Sequence, residues 1–386
     1  MNAARDKTQV KSPTGEILGF FLRLGLTAFG GPAAHIALMQ REAVERRGWV
    51  SNEQFLDLVG GCNLLPGPSS TQVAMALGYT RKGWIGLVIA GTCFILPASL
   101  ATLALAWAYV RYGHFPQAAG LLYGAKPVMV AIIVQALWRL GQIAMHGWTM
   151  AATGVACFAA ALAGAPPIAI LLTAGVLLLL VQWQRSKPAV ANCLIWFQAG
   201  TGGIAAGGLT TAIGLGSIAL TFLKLGVVVF GSGYVLLAFL KTDLVDRLHW
   251  ITNAQLLDAI TAGQVTPGPV FATATFIGYL LHGWSGAAVA TAAIFLPSFF
   301  LAGAVGAFAG RIRKSKLAGA FLDGANAAAL ALMAEVALVL GRATLVDAWA
   351  WALAIVSAAI LLRYRVNATW LILAGGAIGI LLRGLH

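Results

Sequence analysis

Charge is scarce in this chain. Asp, Glu, Lys and Arg make up 10% of its 386 residues, and only 12 of them are acidic. A soluble domain carries about a quarter charged residues, so a water-exposed globular fold is excluded. Cysteine is equally thin. Cys62, Cys93, Cys157 and Cys193 lack any C-x-x-C spacing, which argues against a disulfide framework or a thiolate zinc site and for small apolar filler. The 6 histidines are dispersed, so neither a metal centre nor any other cofactor is expected. The same lack of an acidic or histidine cluster argues against a membrane-embedded enzyme acting on phosphorylated lipid.

What is abundant is apolar surface: 60% of the residues are hydrophobic and the mean hydropathy is +0.85. Continuous runs of roughly twenty apolar residues, enough to cross a bilayer, recur from Ile17 to Leu382. They do not alternate, which favours helices over a barrel. The expected fold is an all-α polytopic membrane protein. The net charge of +13 lies mostly in short connectors, where Lys and Arg read as topology signals and not as a nucleic-acid surface. Residues 1–15 form a polar tail ahead of a retained first helix.

The chain repeats itself. At a shift of 201, "FLRLGLTAFGG" falls on "FLKLGVVVFGS", Trp49 on Trp250, Asp57 on Asp258 and Pro66-Gly67-Pro68 on Pro267-Gly268-Pro269. At a shift of 200, Pro97 meets Pro297 and Gly124 meets Gly324. Matches of Pro, Gly and Trp at fixed spacing mark an internal repeat. The predicted organisation is a first repeat over 16–184, a Gly-rich connector over 185–215 and a second repeat over 216–386. Each repeat should hold about five crossing helices, the first over 17–39 or 216–240, plus a re-entrant Pro-Gly-Pro segment. Connector charges favour inverted halves.

In "NLLPGPSSTQ", Pro66 and Pro68 stop one half-helix near Asn63, and Pro68 suits the start of another. The amides of Ser69, Ser70 and Thr71 then lack intrahelical acceptors at a positive dipole end, a geometry that fits an anion. Gln264, Pro267, Gly268 and Pro269 are the second-half counterparts of this break. Arg23, Thr27, Gly30 and Gly31 share a helical face that Lys224 repeats, so both cations are expected where the breaks converge, with snorkelling to the interface as the alternative. Asp57 and Asp258, on the helices leading into the breaks, and Glu335, inside an apolar helix, are proton-carrier candidates. Glu42 and Asp243 read as solvated ion pairs in polar loops.

"FLRLGLTAFGGPAAH", "NLLPGPSSTQVAMALGY" and "GTCFILPAS", with second-half counterparts "FLKLGVVVFGSGYV", "QVTPGPVFATATFIGY" and "IFLPSF", resemble the chromate ion transporter family in its two-domain form. The resemblance covers nearly the whole chain. It implies a multi-pass protein of the bacterial inner membrane that exports chromate on the proton gradient, with motif residues Arg23, Gly30, Gly31, Pro32, Asn63, Pro66, Gly67 and Pro68. A permease importing sulfate or a related oxyanion is the competing expectation. Expected partners are the oxyanion and the lipid bilayer, not nucleic acid, with a homodimer left open. Val270 and Phe271 replace Ser69 and Ser70 in the second half, which weighs against an equivalent second anion site.

Overall fold

The computed structural model describes residues 13–29, 31–113, 115–144, 148–185, 213–229, 235–312, 316–364 and 366–384. The polar tail up to residue 12, Gly30, and most of the Gly-rich connector lie outside these. The first half contains α1 (Pro13–Thr27), α2 (Gly31–Gln40), α3 (Asn52–Asn63), α4 (Ser69–Tyr112), α5 (Pro116–Ala144), α6 (Trp148–Leu162) and α7 (Pro167–Arg185). The second contains α8 (Leu215–Val228), α9 (Val235–Leu240), α10 (Asn253–Val265), α11 (Thr273–Ile312), α12 (Lys316–Thr344), α13 (Ala348–Arg363) and α14 (Ala368–Gly384). No strand occurs among the described residues.

Local chemistry sets the starts. Proline opens α1, α5 and α7, where a missing amide proton costs nothing. Reciprocal capping boxes, Ser51 with Gln54 and Thr252 with Gln255, open α3 and α10 at matching repeat positions.

Two expectations need correction. The helix expected over 17–39 is broken, because α1 ends at Thr27 and Gly31 has a left-handed φ of 80°. Its counterpart over 216–240 likewise ends at Val228, with Val229 extended. The polar loop expected after Met39 instead continues as a π-helical turn, Arg41–Arg46, matched by Lys241–Arg247.

α4 and α11 are each two helices joined by a two-residue reversal. Gly83 and Gly283 take φ of 56° and 60°, which only glycine adopts without strain. A methyl group on Gly78 would lie 2.3 Å from the Gly86 carbonyl. In a straight helix residues eight apart are separated by about 12 Å, so the two arms must fold back on one another. Tyr79 and Trp84 close this corner edge to face, as do Tyr279 and Trp284. A second reversal precedes it: a Cβ on Gly263 would stand 3.6 Å from the Thr273 amide nitrogen, so α10 and α11 also turn back at the Pro-Gly-Pro.

The halves are interwoven. α5 packs on α13 and α14, and reciprocally α12 packs on α6 and α7. Glycine makes this close approach: a Cβ on Gly124 would sit 1.9 Å from the Gly375 carbonyl, and one on Gly324 2.2 Å from that of Ala174. At the centre the long arms of α4 and α11 pair, with Trp84 against Gly303 and Gly91 against Phe299. The register rises on one and falls on the other, so these repeat-equivalent helices run antiparallel.

Candidate functional site

The two breaks dock on each other's half. Gly67, at φ 112°, donates its amide to the Val229 carbonyl at 2.6 Å. Gly268, at φ 99°, donates to the Ala28 carbonyl at 2.9 Å. Ala28 and Val229 follow the ends of α1 and α8, where carbonyls lose their intrahelical donors. The interrupted first helices therefore supply acceptors that the Pro-Gly-Pro turns satisfy.

The first break is polar and buried. Ser69, Ser70, Thr71 and Gln72 are all buried at the start of α4. Thr71 and Gln72 amides turn back to the Pro68 carbonyl, and among the described residues Ser69 and Ser70 amides have no acceptor. The Gln72 side chain donates through Nε2 to the Pro66 carbonyl and holds the turn. Buried His35 lies 3.3 Å from the Ser70 hydroxyl through Nδ1 and 3.2 Å from the Ala28 carbonyl through Nε2. Since a carbonyl only accepts, Nε2 is the donor there. Thr71 Oγ1, Gln72 Oε1 and Ser298 Oγ are buried without partners. At the second break Ala98 replaces Ser298 as the group against the glycine, Val270 and Phe271 line the turn, and Thr266 meets Thr102 at 3.1 Å. Gln264 is half-buried with an unpartnered Nε2.

The structure turns Arg23 outward and pairs Lys224 with an acid. Arg23 and Thr27 lie on the exposed face of α1 with Leu22 and Leu26, and the Thr27 hydroxyl bonds the Arg23 carbonyl. The helical face they share points outward because Phe20, Phe21 and Leu24 take the core side. Lys224 is neutralised by Asp243, at 3.0 and 2.7 Å. Asp243 is thus a buried partner and not a solvated loop acid, whereas Glu42 does pair with Arg46 and Arg47. Burial pulls the Glu42 carboxyl up, but Arg47 and Arg46 together overcome this and hold it below its ordinary value. Asn63 is exposed, Pro32 is half-buried near the start of α2, and Pro66, Pro68, Pro267 and Pro269 form the breaks themselves.

Among the proton-carrier candidates, the repeat-related pair behaves differently. Asp258 is 4% exposed, sits 3.0 Å from Lys126 Nζ and accepts from the Tyr109 hydroxyl at 3.1 Å. Asp57 is half-exposed. The second-half counterparts of Lys126 and Tyr109 are Asn326 and Ala309, so this constellation exists once. Glu335 meets Lys241 at 3.2 Å, and Lys241 also bridges to Asp246 at 2.8 Å. Sequence reasoning gave His35, Lys126, Tyr109, Gln72 and Ser298 no role. Three of them carried a signal: a histidine closing the first motif, a cation beside Pro127 in an apolar run, and a hydroxyl after the Pro297 of "IFLPSF".

Four helical segments among the described residues are long and apolar enough to cross a bilayer: Ser69–Tyr112, Pro116–Gln142, Val270–Ala307 and Gly319–Thr344. Leu, Val and Trp side chains such as Trp138, Val155 and Leu220 face outward, as lipid requires. This is a helical membrane protein. The chromate transporter family model matches it twice, over residues 15–180 and 216–380. The chain is 33% identical to a chromate transport protein of Cupriavidus metallidurans, covering 94% of this chain and 91% of that one. It is 32% identical to a probable chromate transport protein of Synechococcus elongatus over 86% of each, and 33% identical to a chromate transport protein of Pseudomonas aeruginosa over 85% and 81%. No solved structure matches significantly. The chain belongs to the chromate transporter family.

Proposed function

We propose that this protein exports chromate across the bacterial inner membrane, energised by the proton gradient. The oxyanion binds at the first Pro-Gly-Pro break. The observation that carries this reading is the set of buried donors at the start of α4: two amides without acceptors and the unpartnered Thr71 hydroxyl. A group buried unsatisfied costs about 1–3 kcal/mol, and an anion at a helix start relieves that cost while meeting the positive dipole. Both Pro-Gly-Pro segments are re-entrant in this reading, meeting near mid-membrane, and the halves are inverted. The antiparallel pairing of the equivalent α4 and α11 arms supports inversion, since helices related by a repeat in the same orientation run parallel. Asp258 is the proton carrier, because it is a buried intramembrane carboxylate whose partner charge comes from the other half.

Flux in oriented vesicles tests the reading. Everted vesicles energised by respiration should accumulate chromate, Thr71→Val should lose most of that activity through weaker binding, and Asp258→Asn should lose gradient-driven accumulation with binding retained. Accumulation confined to right-side-out vesicles would make the protein an importer and overturn export.

A further inference from the structure

The two breaks share one backbone design but not one chemistry. In both, a glycine amide docks on the other half and a long arm of the other half covers the glycine. At the first break the covering residue is Ser298 of α11, whose Oγ would stand 2.9 Å from a Cβ on Gly67. Ser298 is fully buried and its hydroxyl has no partner. At the second break the covering residue is Ala98 of α4, whose Cβ would stand 2.8 Å from a Cβ on Gly268. There the turn continues into Val270 and Phe271, which are buried and bring no hydroxyl. The Thr273 hydroxyl is already bonded to the Val270 carbonyl.

We infer that the chain holds a single oxyanion site, at the first break, and that Ser298 of the second half is one of its ligands. This rests on the reading of that break as the substrate site. A tetrahedral oxyanion presents only acceptors when fully ionised, so it needs donors from several directions. Ser69 and Ser70 amides and the Thr71 hydroxyl are offered by the helix start, and Ser298 brings a hydroxyl from the other half against Gly67. Glycine at 67 keeps that side open, since any side chain there would fill the space between Gln72 and Ser298. The second break offers Gln264 Nε2 as its unpartnered side-chain donor, on a residue that is half-buried. The hydroxyls of Thr102, Thr266 and Thr273 there are already hydrogen-bonded, which suits a hinge that packs without a ligand.

The test is equilibrium dialysis of sodium chromate against the purified full-length protein in detergent, at fixed salt and pH. The expected stoichiometry is one chromate per chain. Ser298→Ala should weaken binding roughly ten- to hundredfold, the effect of losing one hydrogen bond to a charged group. Ala98→Ser, its repeat counterpart, should leave affinity and stoichiometry unchanged. Thr71→Val serves as the control for the break itself. If Thr71→Val weakens binding while Ser298→Ala binds as tightly as the wild type, the cross-half ligand is refuted and the first-break site stands. If both bind normally, the site lies elsewhere and the inference falls with it. Two chromates per chain would overturn the single site directly.

Discussion

Breaking the Lys126–Asp258 pair should be asymmetric. Lys126, on α5, has a side chain 22% exposed, while the Asp258 side chain on α10 is 3% exposed. Removing one partner of a buried ion pair costs ~3–5 kcal/mol, because it strands the other charge. Lys126→Met strands the more deeply buried group, leaving Asp258 only the Tyr109 hydroxyl, so it should cost the full ~3–5 kcal/mol. Asp258→Asn strands a lysine that reaches water in part and keeps an acceptor for Tyr109, so about 1–3 kcal/mol is expected. The double variant has no stranded charge and should recover at least ~2 kcal/mol relative to the sum of the singles. Reversible unfolding in mixed micelles of a mild detergent and dodecyl sulfate measures all four corners of the cycle. A coupling energy within ~0.5 kcal/mol of zero would mean that the two charges do not sense each other across the halves.

Topology is tested by single cysteines at Glu45 and Arg247, exposed positions in the two matched π-helical turns, in a background lacking the native cysteines. Impermeant maleimide should label them from opposite sides of the membrane, and same-side labelling would refute inversion. At the start of α13, Asp347 caps the Ala350 amide at 2.8 Å and accepts from Tyr123 at 2.7 Å; the Tyr123 hydroxyl, then the backbone amides, hold its carboxyl below the ordinary value. Asp347→Ala should therefore cost about 1 kcal/mol at neutral pH. A folded-state depression is stabilising above the unfolded value of about 3.9 and is lost as pH falls through the folded one, so wild type and variant should converge only below about pH 4 in thermal unfolding.

The sequence made the helices legible, because long apolar runs have few alternatives in lipid. The long arm of α4 after residue 84, α5 to α7 and α12 to α14 coincide with apolar runs of the sequence. It did not show that the first helix of each half breaks. Gly30-Gly31-Pro32 reads equally well as a close-approach surface and as a stop, and the acceptor that the stop exposes is used by Gly268, far along the chain. Long-range pairing of one amide with one carbonyl leaves no local pattern. Charges misled for a related reason. Repeat symmetry made Arg23 equivalent to Lys224 and Asp57 equivalent to Asp258, yet Arg23 faces outward while Lys224 pairs with buried Asp243, and Asp57 is half-buried while Asp258 is buried against Lys126. Partners come from other elements, and those have diverged.

That divergence bears on how the molecule works. The donors of the first break belong to α4, and the unpartnered hydroxyl against Gly67 belongs to α11. The carboxylate of Asp258 belongs to α10, and its partners Lys126 and Tyr109 belong to α5 and α4. Each chemical group is thus built on one half and closed by the other. The same is true of the backbone, through Gly67 to Val229 and Gly268 to Ala28. A rigid-body displacement between the halves must stretch both contacts together. On the proposed reading, separation around the first break withdraws Ser298 from the anion, and separation around α10 exposes Asp258 to protonation. The proposed export mechanism then couples anion release to proton exchange through a shared interface, without a chain of side chains running from one site to the other.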